Sequence, residues 1–323
     1  MNILITSAGR RVSLIRAFQK ELNKTHSDSK VFATDFNPKL SAACQIADQC
    51  FEVPRILDES YIDSLIDLCQ SNDIKLIVPT IDTELLLLAN NKVRFETLGI
   101  KTVISSEDFV KQCRDKRNIH EFFKSKGVRV AKEYEKDDYS LPMFIKPYDG
   151  SRSVDTYLIK KENDLTDYHF RNDKLMFLEY LDHALFSEFT CDLYYDRTNE
   201  LRCVVPRKRL EVRDGEVYKA LTQNNVLVNH IRQHLSTISG AVGCITAQFF
   251  LHNEDDSKIV AIEINPRFGG GYPLSYLAGA NFPKWIIEEY LLDNAIEDKF
   301  DSWEDELLMI RYDDEILVHG YKG

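Results

Sequence analysis

Three side chains with oxygen donors and one arginine make the most chemically suggestive group in this chain. Glu263 and Asn265 lie in Ala261-Ile262-Glu263-Ile264-Asn265-Pro266-Arg267-Phe268, and Gln248 lies upstream in Thr246-Ala247-Gln248-Phe249-Phe250. Strand alternation puts Glu263 and Asn265 on one face and Ile262 and Ile264 on the other. The polar stretch from His252 to Ser257 separates two apolar runs and reads as a turn, so an antiparallel pair is expected. Gln248 then sits beside Glu263 and Asn265. One carboxylate with two amides suits Mg²⁺, whose remaining positions go to phosphate oxygens and water. Arg267, two residues further on, is placed to meet an anion.

Other residues suggest where a phosphate chain could lie. Lys146 ends the apolar run Met143-Phe144-Ile145 and precedes Pro147-Tyr148-Asp149-Gly150-Ser151-Arg152-Ser153. Such a loop offers backbone N–H groups and hydroxyls to phosphate oxygens, with the lysine as a point charge. The GxxxxGK[ST] spacing of a Walker loop is missing, and a plain hairpin would also produce these residues. Arg207 and Arg209 belong to a basic cluster from Arg202 to Arg213 and share a strand face, which suits an anion clamp or a solvated hairpin. Gly269, Gly270 and Gly271 follow Arg267 directly, permitting positive φ and close backbone approach in a loop lining a substrate.

The elements that must position these groups divide the chain. Residues 1–105 alternate short apolar runs with amphipathic segments. Strands are expected at Asn2–Thr6, Val31–Thr34, Ile74–Val78 and Thr102–Ile104, and helices at Arg10–Lys24, Ser60–Asn72 and Thr83–Asn90. That order implies a parallel sheet covered on both faces. The first strand ends in Ser7-Ala8-Gly9-Arg10-Arg11, a turn like those that bind dinucleotides. Only one of three expected glycines is present, so a Rossmann-like scaffold is favoured over an NAD site. Asp35 and the Pro79-Thr80-Ile81-Asp82 turn either contribute to a substrate pocket or merely make turns. Beyond a helix from Asp115 to Lys126, strands are expected at 143–147, 154–159, 175–181, 186–195, 201–206, 243–251 and 258–264, with a helix over 226–240. This half is α+β with antiparallel pairs.

Composition narrows the function classes. In 323 residues, 44% are hydrophobic and 29% charged, as in an ordinary globular protein. The net charge of −11 is concentrated from Ile286 onward, where 12 Asp/Glu face 3 Lys/Arg; no broad basic surface offers itself to nucleic acid. No apolar run reaches membrane-spanning length, and the N-terminus turns polar too early for a signal peptide. Seven cysteines without a CxxC pair argue against zinc and against a disulfide framework, and favour a reducing, cytoplasmic setting. The eight histidines lack ligand spacing, and no Ser-His-Asp or Cys-His arrangement is legible.

Taken in chain order, Lys116, Lys146 with its loop, Glu179-Tyr180-Leu181, Glu188, Gln248, Glu263 and Asn265 resemble the ATP-grasp superfamily. The resemblance covers essentially the whole chain and is closest to the carbamoyl-phosphate synthase large-subunit type. It implies a Rossmann-like N-terminal domain at 1–105, a small lobe at 106–182 and a large lobe at 183–323. It further implies that Lys116 and Lys146 contact ATP phosphates and that Gly150, Ser151 and Ser153 belong to the loop closing over them. Glu179, Tyr180 and Leu181 would form the hinge at the adenine edge, and Glu188 would meet the ribose hydroxyls. Gln248, Glu263 and Asn265 would ligate Mg²⁺, for which Mn²⁺ can substitute, and Arg267 would face the transferred phosphoryl group. The implied activity is carboxylate–amine ligation through an acyl phosphate, releasing ADP and phosphate. Carboxyphosphate or carbamate chemistry and a non-catalytic ATP sensor are the alternatives. Small-molecule acid and amine are the expected partners, and homodimers are common in the superfamily. The chain has one glycine in its phosphate loop and is too short for a complete carbamoyl-phosphate synthase, which carries two such halves.

Overall fold

The computed structural model describes residues 1–150, 154–213 and 215–321, and among these residues the chain builds three sheets in succession. The first holds β1 (Asn2–Ile5), β2 (Val31–Asp35), β3 (Gln49–Glu52), β4 (Ile74–Val78) and β5 (Lys101–Thr102), in the order β3-β2-β1-β4-β5. All four pairings are parallel. Helices 12–25, 61–71 and 82–90 supply the crossovers. Central strands buried on both faces read as near-continuous apolar runs, and β1 and β4 do so. β3 was not expected because its burial pattern is that of a half-exposed edge, with Gln49 and Glu52 outward.

The second sheet is antiparallel and four-stranded: β6 (Glu133–Tyr134), β7 (Met143–Pro147), β8 (Tyr157–Ile159) and β9 (Leu175–Glu179), ordered β6-β9-β7-β8. The third has six strands: β10 (Phe186–Tyr195), β11 (Leu201–Arg213), β12 (Glu216–Thr222), β13 (Gly243–His252), β14 (Ile259–Asn265) and β15 (Leu308–Ile310). Their order is β14-β13-β10-β11-β12-β15. β11 runs seven residues beyond the expected end at 206 because β12 pairs along that extension. The helix expected over 226–240 stops at His234, since the following segment turns back to bond β11 through Leu201 N–H and Ser236 O at 2.8 Å.

One face of the six-stranded sheet is sealed by an apolar core. Cys191, Leu193, Ile245, Ala247, Phe249 and Ile264 pack there with Ile119 and Phe123 of helix 116–125 and Leu227 and Ile231 of helix 226–234. The opposite face carries Thr190, Asp192, Arg207, Thr246 and Gln248, while Tyr194, Cys203, Val205 and Cys244 on that face pack against the parallel domain. One cysteine expectation is corrected: Cys44 and Cys50 form a disulfide, because helix 42–46 is followed at once by β3 and brings their Cα atoms within 5.1 Å. It closes one short loop, and Cys69, Cys113, Cys191, Cys203 and Cys244 are free thiols.

The parallel domain is joined to the large lobe at a tight backbone approach. Ser106 caps helix 107–114, accepting from Phe109 N–H at 3.3 Å, and its own N–H donates to Gly240 O at 2.8 Å. Gly240 has φ of +80°, and a Cβ there would lie 2.0 Å from the Ser106 hydroxyl. A Gly240→Ala variant is therefore expected to lose about 2 kcal/mol of stability: about 1 for the left-handed backbone and about 1 for the disturbed cap. Urea unfolding, read as a lower midpoint at unchanged slope, checks this.

Candidate functional site

The polar face of the six-stranded sheet carries the site as a transverse row. In antiparallel pairs, directly opposed residues point to the same face. Glu263 of β14 opposes Gln248 of β13, which opposes Thr190 of β10, which opposes Arg207 of β11. One step along, Asn265 opposes Thr246, which opposes Asp192. The β13–β14 pair therefore forms as the sequence implied, with Gln248, Glu263 and Asn265 side by side.

Two lysines from other parts of the chain reach the same carboxylate. Asp115 caps helix 116–125, accepting from Arg117 N–H at 2.9 Å, and Lys116 N–H donates to Tyr148 O at 2.9 Å. This docking sends Lys116 Nζ to Gly150 O at 2.6 Å and to Glu263 Oε2 at 3.6 Å. Lys146, on β7, is buried and has Glu263, Lys116 and Glu188 as its charged neighbours. Burial lowers its pKa to about 8, partly countered by Glu263. Burial works against ionisation of Glu263 itself, yet Lys116, Lys146 and a 3.0 Å hydrogen bond from Asn265 Nδ2 hold its carboxyl below the ordinary range. His120 lies behind them, its ring 3.3 Å from Ile262 O; burial first, then Lys146, lowers its pKa to about 4 and keeps it neutral.

The donor set fits a hard divalent cation. Among the described residues no group of three or more His, Cys, Asp or Glu could hold a metal. A cation here would need mixed donors, and the ionised Glu263 with the Gln248 and Asn265 amides is such a set.

The remaining expected residues are distributed around this row. Glu179 ends β9, pairs with Arg129 at 2.8 Å, and its N–H bonds Lys132 O. Tyr180 and Leu181 follow as the link to the large lobe, where Leu181 packs with Ala131, Met176 and Val260 beside Phe250 and Ile262. That apolar patch is continuous with the strand bearing Glu263. Glu188 is paired with Arg209, and both line a cleft with His183 and Phe186. Gly150 is described, whereas Ser151 and Ser153 lie outside the described residues.

Arg207 and Arg209 share a face, as alternation implied, but both guanidiniums meet carboxylates of β10. Arg207 is 1% exposed and forks onto Asp192, Nε to Oδ2 at 2.7 Å and Nη2 to Oδ1 at 3.1 Å. Ser275 Oγ also donates to Asp192, at 2.6 Å. The third nitrogen, Nη1, has no partner among the described residues and points at Gly271, where a Cβ would come within 2.2 Å. Close approach, not positive φ, requires glycine there: Gly271 has φ of −89°. Gly269 lies against Thr246, and Gly270 lies between Glu216 and Arg11.

Arg267 is held by a residue of the other domain. It forks onto Asp82, Nε to Oδ1 at 3.1 Å and Nη2 to Oδ2 at 2.7 Å, while Thr246 Oγ1 donates to its carbonyl at 2.9 Å. The Asp82 turn thus reaches the site. Asp35 makes a turn instead: it accepts from Gly9 N–H at 3.2 Å and Asn37 N–H at 3.0 Å. Sequence reasoning missed Asp192, Glu216 and buried Glu84, which accepts from Tyr61, Thr80 N–H and Ser7 below the Asp82 turn. A carboxylate one strand position from a basic cluster was the signal available for Asp192.

Known proteins can now be set beside this geometry. Residues 3–104 match the family model described as PylC-like, N-terminal domain, and residues 171–309 match that described as ATP-grasp in the biosynthetic pathway with Ter operon. The stretch 171–309 is thus an ATP-grasp family segment, following a PylC-like N-terminal domain. Its fold resembles the biotin carboxylase domain dimer of Hydrogenobacter thermophilus 2-oxoglutarate carboxylase, crystallised with MgADP, ADP and bicarbonate. There the identity is 13%, with 95% of this chain and 73% of that chain covered and a TM-score of 0.71. Staphylococcus aureus N5-carboxyaminoimidazole synthetase complexed with ADP is 17% identical over 92% and 78%, with a TM-score of 0.68. Bacillus licheniformis L-amino acid ligase is 15% identical over 90% and 74%, with a TM-score of 0.65. No curated protein matches significantly. Among the described residues no helix is long and apolar enough to cross a membrane.

The Arg207–Asp192 pair in this ATP-grasp sheet generates a stability prediction. Removing one member strands a buried charge, so Asp192→Ala is expected to cost about 3–5 kcal/mol in chemical denaturation. Exchanging both residues for apolar ones of similar volume should recover much of that loss.

Proposed function

We propose that the protein is an ATP- and Mg²⁺-dependent carboxylate–amine ligase acting through an acyl phosphate and releasing ADP and phosphate. The observation that carries this reading is the convergence of Lys116, Lys146 and Glu263 from three parts of the chain, beside the two amide donors Gln248 and Asn265. Two buried cations facing one carboxylate suit a phosphate chain and its metal better than they suit a structural salt bridge, because desolvation of each charge goes uncompensated otherwise.

In this reading, Lys116 and Lys146 neutralise phosphate oxygens. The Glu179–Leu181 link bonds the adenine edge while the patch around Leu181 takes the ring. Glu188, held by Arg209, accepts from the ribose hydroxyls. Gln248, Glu263 and Asn265 would hold Mg²⁺, whose charge would screen that of the phosphoryl group. Arg267, fixed by Asp82, stabilises the acyl phosphate, whose carbonyl carbon is then attacked by an amine. These groups position and neutralise, and no covalent protein intermediate is needed.

The test is ADP release across pools of carboxylates and amines, with the product identified by mass. Glu263→Ala and Lys146→Met are each expected to lower ADP formation by about 10²–10³-fold. Unchanged turnover in either variant would sink the proposal. Bicarbonate dependence without an organic acid would redirect it to carboxyphosphate chemistry.

Lys146 also sets a pH dependence. A bound phosphate raises the pKa of the lysine above its free value of about 8, so binding takes up a proton above that pH and is proton-independent below it. Affinity for metal-free ADP in EDTA should therefore be level near about pH 7.5 and weaken by up to about tenfold per unit above about pH 8. Lys146→Arg, which stays charged, should flatten that profile.

A further inference from the structure

Beyond the reacting centre, positive charge around the triglycine loop exceeds what the protein itself neutralises. Arg267 is matched by Asp82 and Arg207 by Asp192, each through two hydrogen bonds. Three further arginines gather about Glu216, beside Gly270, from two distant segments. Arg10 Nη2 lies 3.5 Å from Glu216 Oε1, and Arg311 Nη1 lies 3.4 Å from Glu216 Oε2. Arg311 Nη2 also donates to Gly270 O. Arg11 is fixed by a hydrogen bond to Thr80 O at 3.3 Å, and its Nη1 would lie 3.7 Å from a Cβ on Gly270. Among the described residues Glu216 is thus the carboxylate facing Arg10, Arg11 and Arg311, leaving two positive charges over.

A second observation points the same way. Arg11 is the N-terminal residue of helix 12–25, whose first turn contains no acidic side chain and whose cap makes no side-chain hydrogen bond. The positive end of that helix therefore adds to the arginines, with no acidic side chain in its own first turn to offset it. Arg11 is also crowded: burial first, then Arg267, lowers its pKa to about 10. Gathering like charges in a partly desolvated place costs free energy unless an anion is bound there. Planar guanidiniums favour oxygens that accept two bonds, as carboxylate and phosphate do.

Building on the ligase reading, we infer that the acid substrate carries, besides the carboxylate activated near Arg267, a second anionic group gripped by Arg10, Arg11 and Arg311. That group is a phosphate ester or a further carboxylate. The arrangement also orients the acid: the distal anion lies at the mouth of the parallel domain and the reacting carboxylate lies toward the Glu263 row.

Calorimetric titration of the full chain, with and without saturating Mg·AMPPNP, tests this with three probes. Glycerate carries one carboxylate, 3-phosphoglycerate adds a phosphate to the same skeleton, and tricarballylate carries three carboxylates. At least one polyanion is expected to bind about tenfold or more tightly than glycerate, and which one does so separates phosphate from carboxylate as the second group. Arg11→Met, Arg311→Met and the surface substitution Arg10→Gln should each erase most of that preference while leaving Mg·AMPPNP affinity unchanged. Arg10 is largely exposed, so its variant tests the idea free of folding defects. Equal binding of all three acids, no binding of any, or a preference that survives the substitutions would overturn the inference. Failure to bind Mg·AMPPNP would instead remove the ligase reading, and the anion preference would still be measured without nucleotide.

Discussion

The structure depends on one carboxylate that cannot be left alone. Glu263 sits on β14 of the six-stranded sheet, faced by Lys116 from helix 116–125 and by Lys146 from the four-stranded sheet. None of the three is freely solvated, so each depends on the others to offset its desolvation. Separating the lobes would strand a buried charge on each. The constraint explains local details: the Asp115 cap, the bond from Lys116 N–H to Tyr148 O and the end of β7 at Pro147 all serve to aim a cation at one point.

The parallel domain is bound to that centre by charge as well as by packing. Asp82 reaches out of the first sheet to fork onto Arg267, and Glu84 beneath it is buried among three hydrogen-bond donors that stiffen the turn. Charge is matched residue by residue around Arg267 and Arg207, but not around Arg10, Arg11 and Arg311. Charge thus passes from balanced at the Glu263 row to unbalanced at the arginines beside Gly270.

Much of this was legible in order along the chain because strands announce themselves by alternation. Glu263 and Asn265 alternate with Ile262 and Ile264, and the turn after Leu251 fixes their partner, so the Gln248–Glu263 pairing follows from local sequence. β10 and β13 were readable for the same reason, and β1 and β4 as near-continuous apolar runs. β3 and β12 were not: their exposed faces carry Gln49, Glu52, Glu216 and Lys219, and nothing local outweighs that polarity. The disulfide escaped because cysteine spacing says nothing about a helix followed at once by an edge strand.

The sequence by itself determined which residue types stand on which strand face, and with them the ATP-grasp resemblance and a set of oxygen donors for one cation. Only the tertiary structure decided which cations are free. Arg207 and Arg209 looked like an open clamp, yet Asp192 and Glu188 occupy them. Arg10 and Arg11 looked like part of a turn, yet they and Arg311 gather about Glu216 beside Gly270. Side-chain periodicity is a short-range property of the backbone, whereas the balance of charge at a point depends on every segment that packs there.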